Sequence, residues 1–102
     1  MALQICATAE KKIIINGTTV EIPSVYNRLE FVARADGKTM EVAGILFQDE
    51  DFYNRQEPIA CDVVNQHLNV TLAKGEIQDL KMAEKYAAKA YEEAGYIVSI
   101  VE

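Results

Sequence analysis

The sequence has no tryptophan, one histidine, two cysteines and two prolines. Its apolar runs all fall well short of the roughly 20 residues a helix needs to cross a bilayer, so no membrane span is expected. Residues 1–8 lack the basic start and long apolar centre of a signal peptide, which makes the cytoplasm the expected location on synthesis. Cys6 and Cys61 stand far apart, with no C-x-x-C spacing and no companion histidine, and read as reduced, buried thiols. Whether they pair is left open, because the Cα separation a disulfide requires is not fixed by sequence. His67, in Asn65-Gln66-His67-Leu68, reads as a turn residue. Without ligand partners at a metal-binding spacing, neither a metal nor a cofactor is expected.

Positive charge is also scarce. Ten Lys and Arg face sixteen Asp and Glu, a formal charge of −6. Between residues 49 and 62 stand five acids (Asp49, Glu50, Asp51, Glu57, Asp62) against Arg55, a net of −4 in one short segment. A nucleic-acid binder would show a basic stripe, since phosphate neutralisation supplies most of its affinity, and none is present. There is likewise no phosphate-cradling glycine loop, no G-x-S-x-G and no H-E-x-x-H. Asp49-Glu50-Asp51 lacks the spaced ligands, internal glycine and closing glutamate of a calcium loop, and reads as a solvated acidic stretch. Glu57 and Asp62 could form an acid/base pair only if something fixed their separation, and nothing in the sequence does. No enzymatic activity and no small-molecule substrate is expected.

What the sequence does contain is a long hairpin over residues 25–47. Asp36-Gly37 is a favoured pair for a two-residue turn, and a turn there sets Ala35 opposite Lys38, Ala33 opposite Met40, Phe31 opposite Val42 and Leu29 opposite Gly44. The other face carries Arg28 with Ile45 and Tyr26 with Phe47. A three-residue loop with Gly37 as a bulge, shifting the register by one, is the competing arrangement. Ten residues per arm at about 3.4 Å each give roughly 34 Å, so the hairpin either lines a barrel or projects from the body. Gly44 within the return arm marks a bulge or a close approach by another backbone.

Taken in order, residues 3–7 alternate as a half-buried strand short enough to be an edge. Asn16-Gly17 centres a second hairpin, placing Lys12 opposite Glu21 and Ile13 opposite Val20, and Pro23 ends it. Residues 48–58 form a loop near the upper length for a compact domain, a candidate working surface. Within and beside it, Tyr26, Phe47, Phe52, Tyr53 and Arg55 are the candidate interface residues. The aromatics either tuck back onto the sheet or face a partner. Residues 59–64 and 68–73 form another strand pair about a turn at 65–67.

From residue 76 the apolar period changes to about 3.6. Ile77, Leu80, Ala83, Ala87, Ala90 and Ala94 share one side of a helix flanked by Tyr86 and Tyr91, with Lys81, Glu84, Lys85, Lys89, Glu92 and Glu93 opposite. Asp79 is the expected N-cap, with a first turn beginning as early as Glu76 the alternative, and Gly95 is the expected stop. Residues 96–101 are apolar on both alternations, which predicts a strand buried on both faces. It should run parallel to residues 68–73 through a right-handed crossover. The fold class that follows is α+β for residues 1–102 as a single domain. Its antiparallel, strongly twisted sheet of about six to eight strands is curled toward a barrel, with the long hairpin, one C-terminal helix and a final strand.

Glu21-Ile22-Pro23, Tyr26-Asn27-Arg28-Leu29-Glu30-Phe31, the run from Arg34 to Glu41, Tyr86 to Tyr91 and Gly95-Tyr96 together resemble the small tail or virion-associated structural proteins encoded by bacteriophages and prophages of gut bacteria. The resemblance covers most of the chain. It implies a non-enzymatic assembly component, a ring or tube subunit of a tail located in the virion, and carries over no catalytic position. The functional expectation is a subunit that forms a homo-oligomer or docks on other assembly proteins through sheet edges and the long hairpin. The alternative is a small protein- or ligand-binding module that uses the acidic loop 48–58.

Overall fold

A computed structural model describes residues 2–63 and 67–101. In chain order the elements are β1 (Ala2–Cys6), β2 (Ile13–Ile14), β3 (Glu21–Ile22), β4 (Ser24–Ala33), β5 (Thr39–Phe47), α1 (Glu50–Asn54), β6 (Leu68–Thr71), α2 (Leu80–Glu93) and β7 (Ile97–Val101). The main sheet has the order β6-β5-β4-β1-β7 with every neighbouring pair antiparallel, and β2 and β3 form a separate ribbon. The fold is therefore α+β, a curled half-barrel with a C-terminal helix followed by a strand. Its main sheet holds five strands, fewer than the six to eight expected.

The hairpin of β4 and β5 has the expected register, with Ala33 opposite Met40, Phe31 opposite Val42, Leu29 opposite Gly44 and Tyr26 opposite Phe47. Its corner differs from the expectation. Arg34 N donates to Thr39 O at 3.0 Å and Gly37 N to Arg34 O at 3.2 Å, so residues 35–38 form a four-residue loop. Gly37 has φ of 72°, but Asp36 does not have positive φ, as a type I′ turn would require. The Asp36 carboxylate instead accepts from Lys38 N (2.8 Å), Thr39 N (2.9 Å) and Thr39 Oγ1 (2.8 Å). Those bonds hold its carboxyl below the usual range. One residue added on each arm preserves parity, and so the pairing is unchanged.

The ribbon register is corrected by the same kind of capping. Ile15 N donates to Val20 O at 3.0 Å, making residues 16–19 the loop, while Thr18 Oγ1 donates to Ile15 O and accepts from Val20 N. Ile13 consequently faces Ile22, and Ile14 faces Glu21. Residues 59–63 do not pair with β6. They run beside β2 instead, with Asn16 N donating to Ala60 O, Asp62 N to Ile14 O, and a single bridge joining Ile15 to Cys61. β6 pairs with β5. Of the expected 65–67 turn, Asn65 and Gln66 lie outside the described residues.

Two further expectations are reversed at the other side of the sheet. β1, expected as an edge, lies between β4 and β7, and Leu3 and Ile5 are fully buried. β7, expected to be buried on both faces, is an edge strand whose Ile97 is 62% and Ile100 52% exposed. β6 and β7 do run parallel, but at opposite rims with three strands between them.

α2 starts at Asp79, whose side chain accepts from Met82 N at 2.9 Å. It stops as expected: Gly95 N donates to Glu92 O and Tyr96 N to Tyr91 O, the paired bonds of a Schellman ending. Its buried stripe is Ala83, Glu84, Ala87 and Tyr91, rotated from the predicted row. Ile77 precedes the N-cap, so helical periodicity does not govern it, and it is exposed, as is Ala94. Glu84, expected in solvent, is buried. Tyr91 supplies the bulk that the alanine row lacks.

The link from β6 to α2 fastens the hairpin corner, which therefore does not project freely. Leu72 N donates to Lys38 O at 2.7 Å, and Gln78 Nε2 reaches Thr39 O (2.6 Å) and Arg34 O (2.9 Å). Glu76 organises the link itself. It accepts from Ala73 N at 2.7 Å and from the Tyr86 hydroxyl, and its other oxygen pairs with Lys85 Nζ at 2.8 Å. The Lys85 bond first, then the Tyr86 bond, pull its pKa from 4.5 down to about 2. A depressed folded pKa stabilises above the unfolded value, and that contribution is lost as pH falls from 4.5 through about 2. In urea titrations, Glu76→Gln should therefore differ from the parent by a constant amount around neutral pH, with the difference closing as pH falls through 4.5 toward about 2. A pH-independent difference would remove Glu76 as its source.

Candidate functional site

The acidic segment is not an uninterrupted loop. Asp49 is extended (φ −158°) and its carboxylate accepts from Phe52 N at 3.0 Å, capping the short helix α1. Glu50 and Asp51 sit in the first turn, where the positive end of the helix dipole favours carboxylates. Three of the five clustered acids thus help to start a helix.

α1 lies on the sheet face opposite α2, and its docking brings the candidate residues together in two groups. Tyr53 packs against Tyr26 (centroids 5.6 Å apart) and edge-on against Phe47 (5.2 Å), with the Arg28 guanidinium 5.3 Å from the Tyr53 ring. Tyr26 and Phe47 face each other across the β4–β5 ladder, and Phe47 is buried. These three rings anchor α1 to its own sheet. Phe52 and Arg55 form the second group, with the guanidinium 4.3 Å above the Phe52 ring and Arg55 also 3.6 Å from Glu57. Gln56 then takes φ of 55° and its side-chain amide donates to Tyr53 O, turning the chain so that Ile59 N returns to Leu46 O.

This docking leaves a groove of about 320 Å³ beside α1, lined by Arg28, Glu30, Ala43, Ile45, Tyr53 and Gln56. A second, of about 230 Å³, lies on the other flank near Gln4, Tyr26 and Asp49. Among the described residues no set of three or more His, Cys, Asp or Glu side chains is placed to hold a metal. Cys6 and Cys61 are free and half-buried, and burial pushes the Cys61 thiol up. No helix among the described residues is long and apolar enough to cross a membrane.

A surface absent from the sequence-derived candidates is the β7 rim. The strand Ile-Val-Ser-Ile-Val has no charge, proline or glycine, the devices that usually keep an edge from pairing. Its apolar alternation on both faces was the available signal, and it points equally well to burial within one chain or against another. Comparison with family models, curated proteins and solved structures finds no match to this chain.

Proposed function

We propose that the protein is a non-enzymatic structural subunit that self-associates or docks on a larger complex through the rims of its sheet. The observation that carries this reading is β7, an uncharged strand at the open edge with two isoleucines more than half exposed. Such an edge offers unpaired backbone groups together with apolar area, the two ingredients of strand addition. The long hairpin contributes by holding β1, and through it β7, in one continuous sheet. The sequence resemblance to phage tail proteins extends the proposal to a tail component resident in the virion.

The binding-module alternative draws on the 320 Å³ groove. It has less support, because Tyr53, central to it, is already engaged with Tyr26 and Phe47.

Sedimentation velocity over a concentration series tests the main reading. The parent should sediment as a multiple of its 11.4 kDa mass, and Ile97→Lys combined with Ile100→Lys should return it to one chain. Both positions are solvent-facing in a single chain, so the variant should keep the parent's circular dichroism spectrum, and any fall in melting temperature should not exceed that of a parent diluted to one chain. A parent that sediments as one chain at every concentration, alone and in cell extract, would sink the proposal.

A further inference from the structure

We infer that two copies of this chain pair through β7, antiparallel, about a two-fold axis passing through Ser99. The inference rests on the self-association reading and specifies its contact.

The hydrogen-bond alternation of the sheet selects which backbone groups are available. In an antiparallel ladder, residues alternate between exchanging bonds with one neighbour and with the other. The bonds from Arg34 N to Thr39 O and from Ala7 N to Pro23 O fix that alternation from two independent places, and they agree. Leu3 and Ile5 bond to β4, so Ala2, Gln4 and Cys6 bond to β7 at Val101, Ser99 and Ile97. The N–H and C=O groups of Val98 and Ile100 therefore point outward at the rim.

Only one self-pairing uses all four of those groups. With the axis at Ser99, Val98 meets Ile100 of the second copy and Ile100 meets its Val98, each pair exchanging two bonds. An axis at Val98 or at Ile100 would satisfy one such pair. Side chains agree with the same choice. On one face Ile97 lies beside Val101 of the second copy, and on the other Val98 lies beside Ile100, so exposed isoleucine packs on β-branched neighbours with no charges opposed.

The other rim is the poorer partner. A β6 strand presented by a second copy with its helix on the same face would run parallel to β7, and parallel pairing is slightly weaker per residue. The two-fold instead yields a continuous ten-stranded antiparallel sheet with both α2 helices on one side, twice the five strands of one chain.

Ser99 would face itself at a position that exchanges no bonds, where Cα atoms approach to about 4.5 Å, within disulfide reach. In a Cys6→Ala, Cys61→Ala background, Ser99→Cys should pass nearly completely to a disulfide dimer under mild oxidation. Ile97→Cys and Val101→Cys chains should each remain unlinked alone and cross-link when mixed. If sedimentation shows assembly but neither cross-link forms, the β7 axis is wrong while self-association stands. If no assembly forms, both readings fall. Circular dichroism of the reduced variants distinguishes either outcome from misfolding.

Discussion

Tyr91→Ala is expected to lower stability by about 3–5 kcal/mol, the range for removing a fully buried aromatic ring. For a domain of this size that is a fall in melting temperature of at least about 12 °C. Tyr91 is 1% exposed and shares its stripe with Ala83 and Ala87, whose small side chains let α2 approach the sheet but fill little space between them. Collapse into the vacated volume is limited by the strands beneath, because β1, β4 and β7 all touch the helix. Differential scanning calorimetry gives the answer directly. A loss below about 1 kcal/mol, in the range of ordinary surface changes, would mean that the helix rests on its alanine row after all.

Gly44→Ala is expected to cost at least about 2 kcal/mol, combining overpacking with displacement of a buried polar group. Gly44 sits opposite Leu29 in an unbroken ladder, so it is not a bulge; it marks a close approach. A methyl group there would lie 2.8 Å from Asn27 Nδ2, 2.9 Å from Asn27 Oδ1 and 2.9 Å from the Arg28 carbonyl oxygen. Asn27 is fully buried and the Arg28 carbonyl is backbone, so neither can swing into solvent. A double-mutant cycle with Asn27→Ala should show strong coupling, because the second change removes two of the three clashes. Additive losses in urea unfolding would show that the strain comes from elsewhere.

The hairpin register was legible because it depends only on parity about a midpoint, and residues 36 and 37 mark that midpoint whether the loop has two residues or four. The ribbon was not, because its loop length is set by Thr18, which bonds both ways across the corner and moves the pairing by two. α1 had a readable start in Asp49, but five residues are too few for a helical period to emerge. The rotated stripe of α2 has a related cause. Counting alanines locates small residues, whereas one large ring decides which side is covered.

β1 and β7 show a limit of a different kind. Alternation in residues 3–7 and uniform apolarity in β7 each report how many faces seek cover, and neither reports what supplies it. That is why the interior strand reads as a border and the border strand as interior. Of the two directions open to the aromatics of residues 48–58, Tyr53 takes the one back onto the sheet, toward Tyr26 and Phe47, while Phe52 stays with Arg55.

The side-chain amide of Gln78 reaches back 39 and 44 positions to grip the two strands at their corner. A nascent chain emerging from the ribosome would therefore have only the local bonds of Asp36 at the tip when the two arms first pair. Fastening of that tip from outside waits until the segment leading into the helix has been synthesised, so a corner made early is tied down late.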